Sequence, residues 1–301
     1  MRTATMGEVH PMFAPGACII LTAADGRTLT FTIDRPFAPF TKSVVLLARC
    51  PELAPDTDTP SQAVVIKIYD PRFLDDRISA VPSQPSRPWT LAAERAATAL
   101  PPDALDASSS QLWDDEPAES DAAGQAARAA LWEEHFRRLS FGCFDAERGA
   151  YDRLRAFQGG ALPRMLVAGT WQPPDERGIR PPAVVLEYIA DAVSLRDVEG
   201  DALQEQPEVC AALVRAVDGF AERGVFHGDL HRENVLFTPR GRPERGVVID
   251  FGCAGVRADD EDEESWRFNV SFANDGGRVR RLLREKGVVL PEDVADPAPA
   301  A

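Results

Sequence analysis

Cationic residues are scarce in this 301-residue chain: 33 Lys and Arg stand against 48 Asp and Glu, a formal charge of −15. So acidic a chain is excluded from general DNA or RNA binding, which depends on phosphate neutralisation. It favours cationic partners instead. Cysteine is sparse as well. Cys18, Cys50, Cys143, Cys210 and Cys253 are scattered, odd in number and form no C-x-x-C pair, which excludes a disulfide framework and a standard zinc site. Such thiols fit a reducing compartment, and a cytoplasmic location is expected, with the nucleus as the alternative. The 4 histidines are too dispersed for a metal cluster, although two fall in one short motif. No apolar run reaches the roughly 20 residues of a membrane span. The N-terminal MRTATMGEVHPMF lacks the apolar centre of a signal peptide, so no membrane partner is expected. Glycine is absent from Arg27 to Gly124, which removes any glycine-rich phosphate loop from that stretch.

What remains is globular: 44% hydrophobic and 27% charged residues supply a core, and the length fits one large domain or two lobes. Residues 1–15 and 291–301 are expected to be flexible ends. ACIILT (17–22) and TLTFTI (28–33), joined through Asp25-Gly26, read as a β-hairpin. The two prolines of 34–42 predict a loop there. Residues 43–49 and 63–69 read as two further strands. Prolines, a serine run and an acidic patch make 79–120 a low-complexity, exposed insertion, mobile or partly helical. Two helices are expected over 121–139 and 144–157, with Phe144, Tyr151 and Leu154 sharing a face. Strands follow at 163–170 and 183–189. A helix over 207–223 stops at Gly224. Short strands at 235–238 and 247–250 and a last helix at 277–286 complete the order. Strands first and helices later make an α+β pattern of two lobes.

The chemistry concentrates in His227–Phe237, HGDLHRENVLF, where Asp229 and Asn234 form D-x-x-x-x-N, and in Asp250 of VVIDFG. One carboxylate can accept or orient a hydroxyl proton. An amide oxygen and a second carboxylate are hard oxygen ligands suited to Mg²⁺. Phosphoryl transfer needs little else than such positioning and charge neutralisation. Lys67 in VVIKIYD lies inside a strand, either at an edge facing solvent or buried with an anionic partner.

These motifs, H-G-D-x-x-x-x-N followed by D-F-G, resemble the protein-kinase-like superfamily. H-G-D in particular is similar to aminoglycoside and choline phosphotransferases, and the layout of VVIKIYDPRF, long insertion and short tail is similar to fungal protein-kinase-like proteins. The resemblance implies a two-lobed kinase-like fold: a small antiparallel β N-lobe within 16–189, carrying the 79–120 insertion, and a mostly helical, shortened C-lobe within 190–290. It implies Asp229 as catalytic base, Asn234 and Asp250 as Mg²⁺ ligands, and Lys67 on the α and β phosphates. Glu147 would be the lysine's helix partner, with Glu133, Glu134 and Asp152 as rivals. Backbone groups of Glu187, Tyr188 and Ile189 would bind adenine, with Val65, Val185, Leu236 and Ile249 as pocket walls or as plain core. The phosphate-covering loop would be Arg35–Ser43, where Thr41, Lys42 and Ser43 offer a hydroxyl, a charge and N–H groups. His231 would shuttle a proton or order the loop, and His227 would anchor it.

Two departures matter. The arginine of H-R-D is Gly228 here, which argues against an activation-loop switch. No A-P-E follows the D-F-G, and only 49 residues follow Gly252. The acidic run Asp259–Glu264 is a solvated loop or a rim that attracts a cationic acceptor. The expected activity is an ATP- and Mg²⁺-dependent phosphotransferase acting on a hydroxyl, with Ser/Thr of a protein as the acceptor. The alternatives are a small-molecule kinase and a nucleotide-binding pseudokinase scaffold.

Overall fold

The structure is a computed structural model that describes residues 10–53, 63–79, 85–107, 110–113, 116–118 and 120–290. The chain divides into two compact units. One comprises the described residues up to Phe144 together with Leu166–Leu186, and the other comprises Asp145–Met165 and the described residues from Glu187 onward.

The first unit is built on β1 (Cys18–Ala23), β2 (Thr28–Pro36), β3 (Val44–Arg49), β4 (Ala63–Ile68), β5 (Met165–Trp171) and β6 (Pro182–Glu187). Strict alternation in TLTFTI places Leu29, Phe31 and Ile33 inside and the threonines outside. Gly26, at φ +85°, makes the tight turn into β2 that Asp-Gly predicts. The sheet does more than the expected small antiparallel sheet: it closes into a barrel in the order β1-β2-β3-β4-β6-β5. The seam pairs Leu21 with Trp171 and Ala23 with Gly169, antiparallel. Any Cβ at Gly169 would overlap the Thr22 carbonyl, so this close approach requires glycine. Phe13, Leu21, Phe31, Leu46, Ile66 and Trp171 fill the barrel, each such side chain contributing about 1.5–3 kcal/mol.

Several expectations are corrected here. β2 runs on through Pro36, three residues into the expected loop, because a register shift between Ile33 and Arg35 lets the strand carry the proline at its end. Residues 10–15 are not frayed: Phe13 is fully buried in the barrel core, while 1–9 lie outside the described residues, as do 291–301. The insertion is only in part describable, with 80–84 among the residues outside. What is described is folded into α1 (Leu91–Thr98), α2 (Ala104–Ala107) and a 3-10 turn at Ser110–Trp113. Leu105 and Leu112 pack with Leu74, Trp132 and Phe136 in a second core. Glu94 of α1 and Asp70 share the buried Arg177 at 2.5 and 2.9 Å.

The two helices expected over 121–157 are one, α3 (Ala122–Arg153), followed by a 3-10 turn at Arg155–Phe157. No proline interrupts this run, and Ser140 and Cys143, in the expected gap, are buried on the helix.

The second unit holds β7 (Val193–Ser194), α4 (Gly200–Gln204), α5 (Pro207–Glu222), β8 (Val225–Phe226), β9 (Val235–Thr238), β10 (Arg245–Val248), β11 (Gly255–Val256), α6 (Glu263–Ala273) and α7 (Asp275–Glu285). The strands form a sheet, β10-β9-β7, and a ribbon, β11-β8. α5 buries Leu213, Val214, Val217 and Phe220 against β10, β8 and α7. It ends at Glu222, and Gly224, at φ +71°, follows its last turn as the expected stop. β10 ends at Val248, two residues before the expected limit, so Ile249 and Asp250 lie in the loop that follows. The acidic run is not a plain loop: Asp262 caps α6, accepting the Ser265 N–H at 2.9 Å, and Glu263 and Glu264 lie in its first turn, where carboxylates favour the helix dipole.

Candidate active site

In the second unit, the ribbon β8–β11 and the hairpin β9–β10 carry the two motif loops. His227, the first residue after β8, is fully buried. Its backbone N–H donates to Asp275 Oδ2 of α7 at 2.5 Å. Its ring bridges both loops: Nε2 lies 2.9 Å from the Ile249 carbonyl, and Nδ1 accepts the Asp229 N–H at 3.2 Å. Those partners fix the Nε2–H tautomer, and burial lowers the imidazole pKa. The Phe251 ring, 4.7 Å away, packs between His227, Tyr151 and Phe220.

Gly228 has φ +75°, and a Cβ there would lie 2.6 Å from the Cys253 carbonyl oxygen. Glycine is thus the residue this loop path demands. Asp229 follows with its backbone held on both sides and its carboxylate exposed. Asn234 is buried; its Nδ2 donates to the Asp229 carbonyl at 3.0 Å and its N–H to the His231 carbonyl at 3.1 Å. With Nδ2 so engaged, Oδ1 is left as the donor atom for a cation. The Asn234 carbonyl accepts the Ile249 N–H at 2.9 Å, which ties its loop to the one carrying Asp250. Asp250 is exposed and left-handed, at φ +69°. His231 is exposed; its Nδ1 lies 3.0 Å from Glu233 Oε2, and Nε2 is 3.7 Å from Asp229 Oδ2, beyond hydrogen-bond reach.

Glu147 on α3 is fully buried. Its rivals have arginines of their own: Glu133 binds Arg77 at 2.6 Å, Glu134 binds Arg137 and Arg138, and Asp152 binds Arg155. One turn after Glu147, Tyr151 is fully buried and its hydroxyl has no hydrogen-bond partner among the described residues. Burial, then the charges of Glu147, Asp250 and Glu187, push its pKa well above 10. Those three carboxylates therefore share one electrostatic neighbourhood.

Glu187 follows the same logic of occupied groups. Its N–H donates to the Arg164 carbonyl at 2.8 Å, so that group is taken, and its carboxylate accepts from the Arg164 N–H at 2.9 Å and from Arg245 Nη1 at 3.1 Å. Tyr188 is half-buried and Ile189 buried. Leu236 is half-buried on β9, and Val185 is fully buried in the barrel core. In the first unit, Lys67 is buried at 5% exposure on β4, which removes the solvent-facing alternative. Its Nζ lies 5.7 Å from the Tyr69 ring centre. Ser43 is buried and Thr41 exposed. Lys42 is paired with Asp75 and Asp76, at 3.2 and 2.5 Å.

Sequence reasoning missed Asp275, Tyr151 as a polar group, and Arg245. Only the spacing of Tyr151 from Glu147 offered a signal. Among the described residues no group of three His, Cys, Asp or Glu could hold a metal ion.

Residues 159–257 match the family model of the phosphotransferase enzyme family called APH, which belongs to the protein-kinase-like superfamily. The chain is similar to that family over a stretch containing Glu187–Ile189, Asp229, His231, Asn234, Leu236 and Asp250. Thr41, Ser43, Lys67 and Glu147 lie outside it. No curated protein matches the chain.

Proposed function

We propose that this chain is an ATP- and Mg²⁺-dependent phosphotransferase that moves the γ-phosphoryl group of ATP to a hydroxyl, the acceptor being Ser or Thr of a protein. One observation carries the reading: the Asp229 carboxylate is exposed while its backbone is fixed by the His227 ring on one side and Asn234 on the other. A base held this way loses little freedom when it meets a substrate. The acceptor oxygen forms its bond to Pγ as the bond from Pγ to the ADP oxygen breaks, and Asp229 takes the hydroxyl proton.

The donor set fits Mg²⁺. Asn234 Oδ1 and the Asp250 carboxylate are two hard oxygens, and Mg²⁺ takes the rest of its shell from water and phosphate, so no three-carboxylate cluster is needed. When bound, the ion neutralises charge on the phosphate oxygens. Lys67 is assigned to the α and β phosphates. The Glu187 carbonyl and the Ile189 N–H are assigned to adenine, the Glu187 N–H being engaged. Thr41 and Ser43 are left as weak phosphate contacts, since their loop lacks glycine and Lys42 is paired with Asp75 and Asp76.

A small-molecule acceptor is the second reading, favoured by the match to the phosphotransferase family. The test is transfer from γ-labelled ATP into protein and small-molecule fractions of an extract. Asp229→Asn should lower transfer by about 10²–10⁴-fold and leave MgATP binding nearly intact, because the side chain holds no part of the loop. Full transfer by that variant would remove Asp229 from the chemistry.

A further inference from the structure

α6 has two unlike faces. Inward, Trp266 is buried on the Phe226 ring at 5.6 Å, and Arg257 lies 5.9 Å over the indole. Gly255 permits this, since a Cβ there would fall inside the Phe226 ring. Outward, Phe268 and Phe272 are 69% and 81% exposed. Their rings lie parallel within 18° and 6.5 Å apart, one helical turn from each other. Glu264 is one turn further back on the same stripe, so the face reads carboxylate, ring, ring. Single exposed apolar residues are ordinary; a stacked aromatic pair on one helix face is a contact surface.

The surrounding charge says what would cover it. Glu263 is neutralised by Arg257 and Arg267, and Asp259 by Arg153. Among the described residues no cation forms an ion pair with Asp260 or Glu264. An aromatic pair near carboxylates that no cation pairs repels anionic lipid and nucleic acid. It suits a segment that brings aliphatic or guanidinium groups to the ring faces and cations to the acids.

The position of this face matters. α6 is held by Phe226 of β8, and β8 leads directly into His227-Gly228-Asp229. β11, its partner in the ribbon, begins three residues after Gly252. The stripe is thus anchored to the same ribbon that bears both motif loops.

We infer that the Glu264–Phe268–Phe272 stripe with Asp260 is the docking surface for a basic, amphipathic segment of the protein acceptor. This rests on the phosphotransferase reading for its biological meaning, but the binding itself does not.

The test uses the full chain and a fluorescent synthetic peptide with Arg and Leu at helical spacing around one Ser, read by anisotropy. A peptide with Glu in place of Arg is the comparison. The Arg peptide should bind and the Glu peptide should not. Phe268→Ser with Phe272→Ser should weaken binding at least about tenfold, as truncation of a central aromatic anchor does. Asp260→Asn with Glu264→Gln should weaken it less and flatten its salt dependence. An unchanged circular-dichroism spectrum and urea midpoint report that all variants are folded. Equal binding by the double-Ser variant would overturn the inference, as would equal binding of the Glu peptide. Self-association that disappears in the double-Ser variant would also overturn it, making a second copy the occupant. Docking without any transfer to the peptide or to small molecules would sink the phosphotransferase reading and leave the surface standing. Transfer with no docking would do the reverse.

Discussion

Gly228→Ala separates two costs that the structure allows to be counted. The first is the backbone, since φ is +75° and a left-handed non-glycine residue costs about 1–2 kcal/mol. The second is contact. The new methyl would stand 2.6 Å from the Cys253 carbonyl oxygen, and relieving such overpacking costs about 1–3 kcal/mol. The expected loss is about 2–5 kcal/mol. Gly224→Ala in the same unit is the control. Its φ is +71°, but its neighbours are the movable tip of Arg153 and, at 3.3 Å, the Arg257 Cβ, so the backbone cost of about 1–2 kcal/mol dominates. Urea unfolding of both variants gives the difference. Activity should divide in the same way. Cys253 belongs to the turn in which Ala254 N–H donates to the Phe251 carbonyl, so displacing it disturbs Asp250, and Gly228→Ala should lose transfer while Gly224→Ala keeps it. If the two variants were equally stable and equally active, the close approach at Gly228 would not be what fixes this loop. Gly228→Arg, which would create the H-R-D of protein kinases, should be at least as damaging.

Two other perturbations follow from the buried ion pairs. Arg177→Leu takes the ion-pair partner from Glu94, whose side chain is 4% exposed, while Asp70 keeps Arg72 at 2.8 Å, and should cost about 3–5 kcal/mol at pH 7. In the native chain burial raises the Glu94 pKa, but Arg177, Trp89 and the Gly178 N–H outweigh it, so the value is below 4.5. The group's stabilisation is therefore complete above about pH 4.5 and lost as pH falls through the folded value. Without Arg177, burial remains and the folded value rises, so the variant's deficit should shrink from pH 7 to pH 5; a deficit that grows would refute the assignment. Arg245→Gln breaks contacts to Glu187, Gly160 and Leu162 and should weaken MgATP binding about fivefold, the equivalent of one hydrogen bond of about 1 kcal/mol. Its turnover at saturation should stay unchanged, and a fall in turnover with intact affinity would move Arg245 from positioning the 187–189 segment to the chemistry.

The strands that alternate cleanly were legible, as TLTFTI and its Asp-Gly turn show, because period-2 patterning and turn chemistry are local. So was α5, with its apolar spacing and Gly224 stop. The HGDLHREN and DFG loops were legible by residue type, and the structure adds the hydrogen bonds that tie them together. What escaped was long-range or disguised by charge. Barrel closure joins β1 to β5 across the whole insertion, with Gly169 as its one local trace. Arg77 and Arg177 look like surface charges in sequence, yet Arg77 holds Glu133 of α3 and Arg177 ties Glu94 of the insertion to Asp70. α6 was hidden because its acidic start resembles a loop and Trp266 is its one large buried anchor. Asp275, which holds the His227 N–H, has no sequence cue at all.

Barrel closure also sets a schedule for synthesis. Leu21 must wait for Trp171, about 150 residues later, or about 8–30 s at about 5–20 residues per second. β2 pairs with one side of β1 at once, while the other side stays an open strand edge, with unpaired N–H and C=O groups able to recruit another chain. The insertion lengthens that interval for every nascent molecule. A shortened insertion would close the barrel sooner, and a stalled ribosome anywhere between Ala23 and Gly169 would hold the chain in its stickiest form.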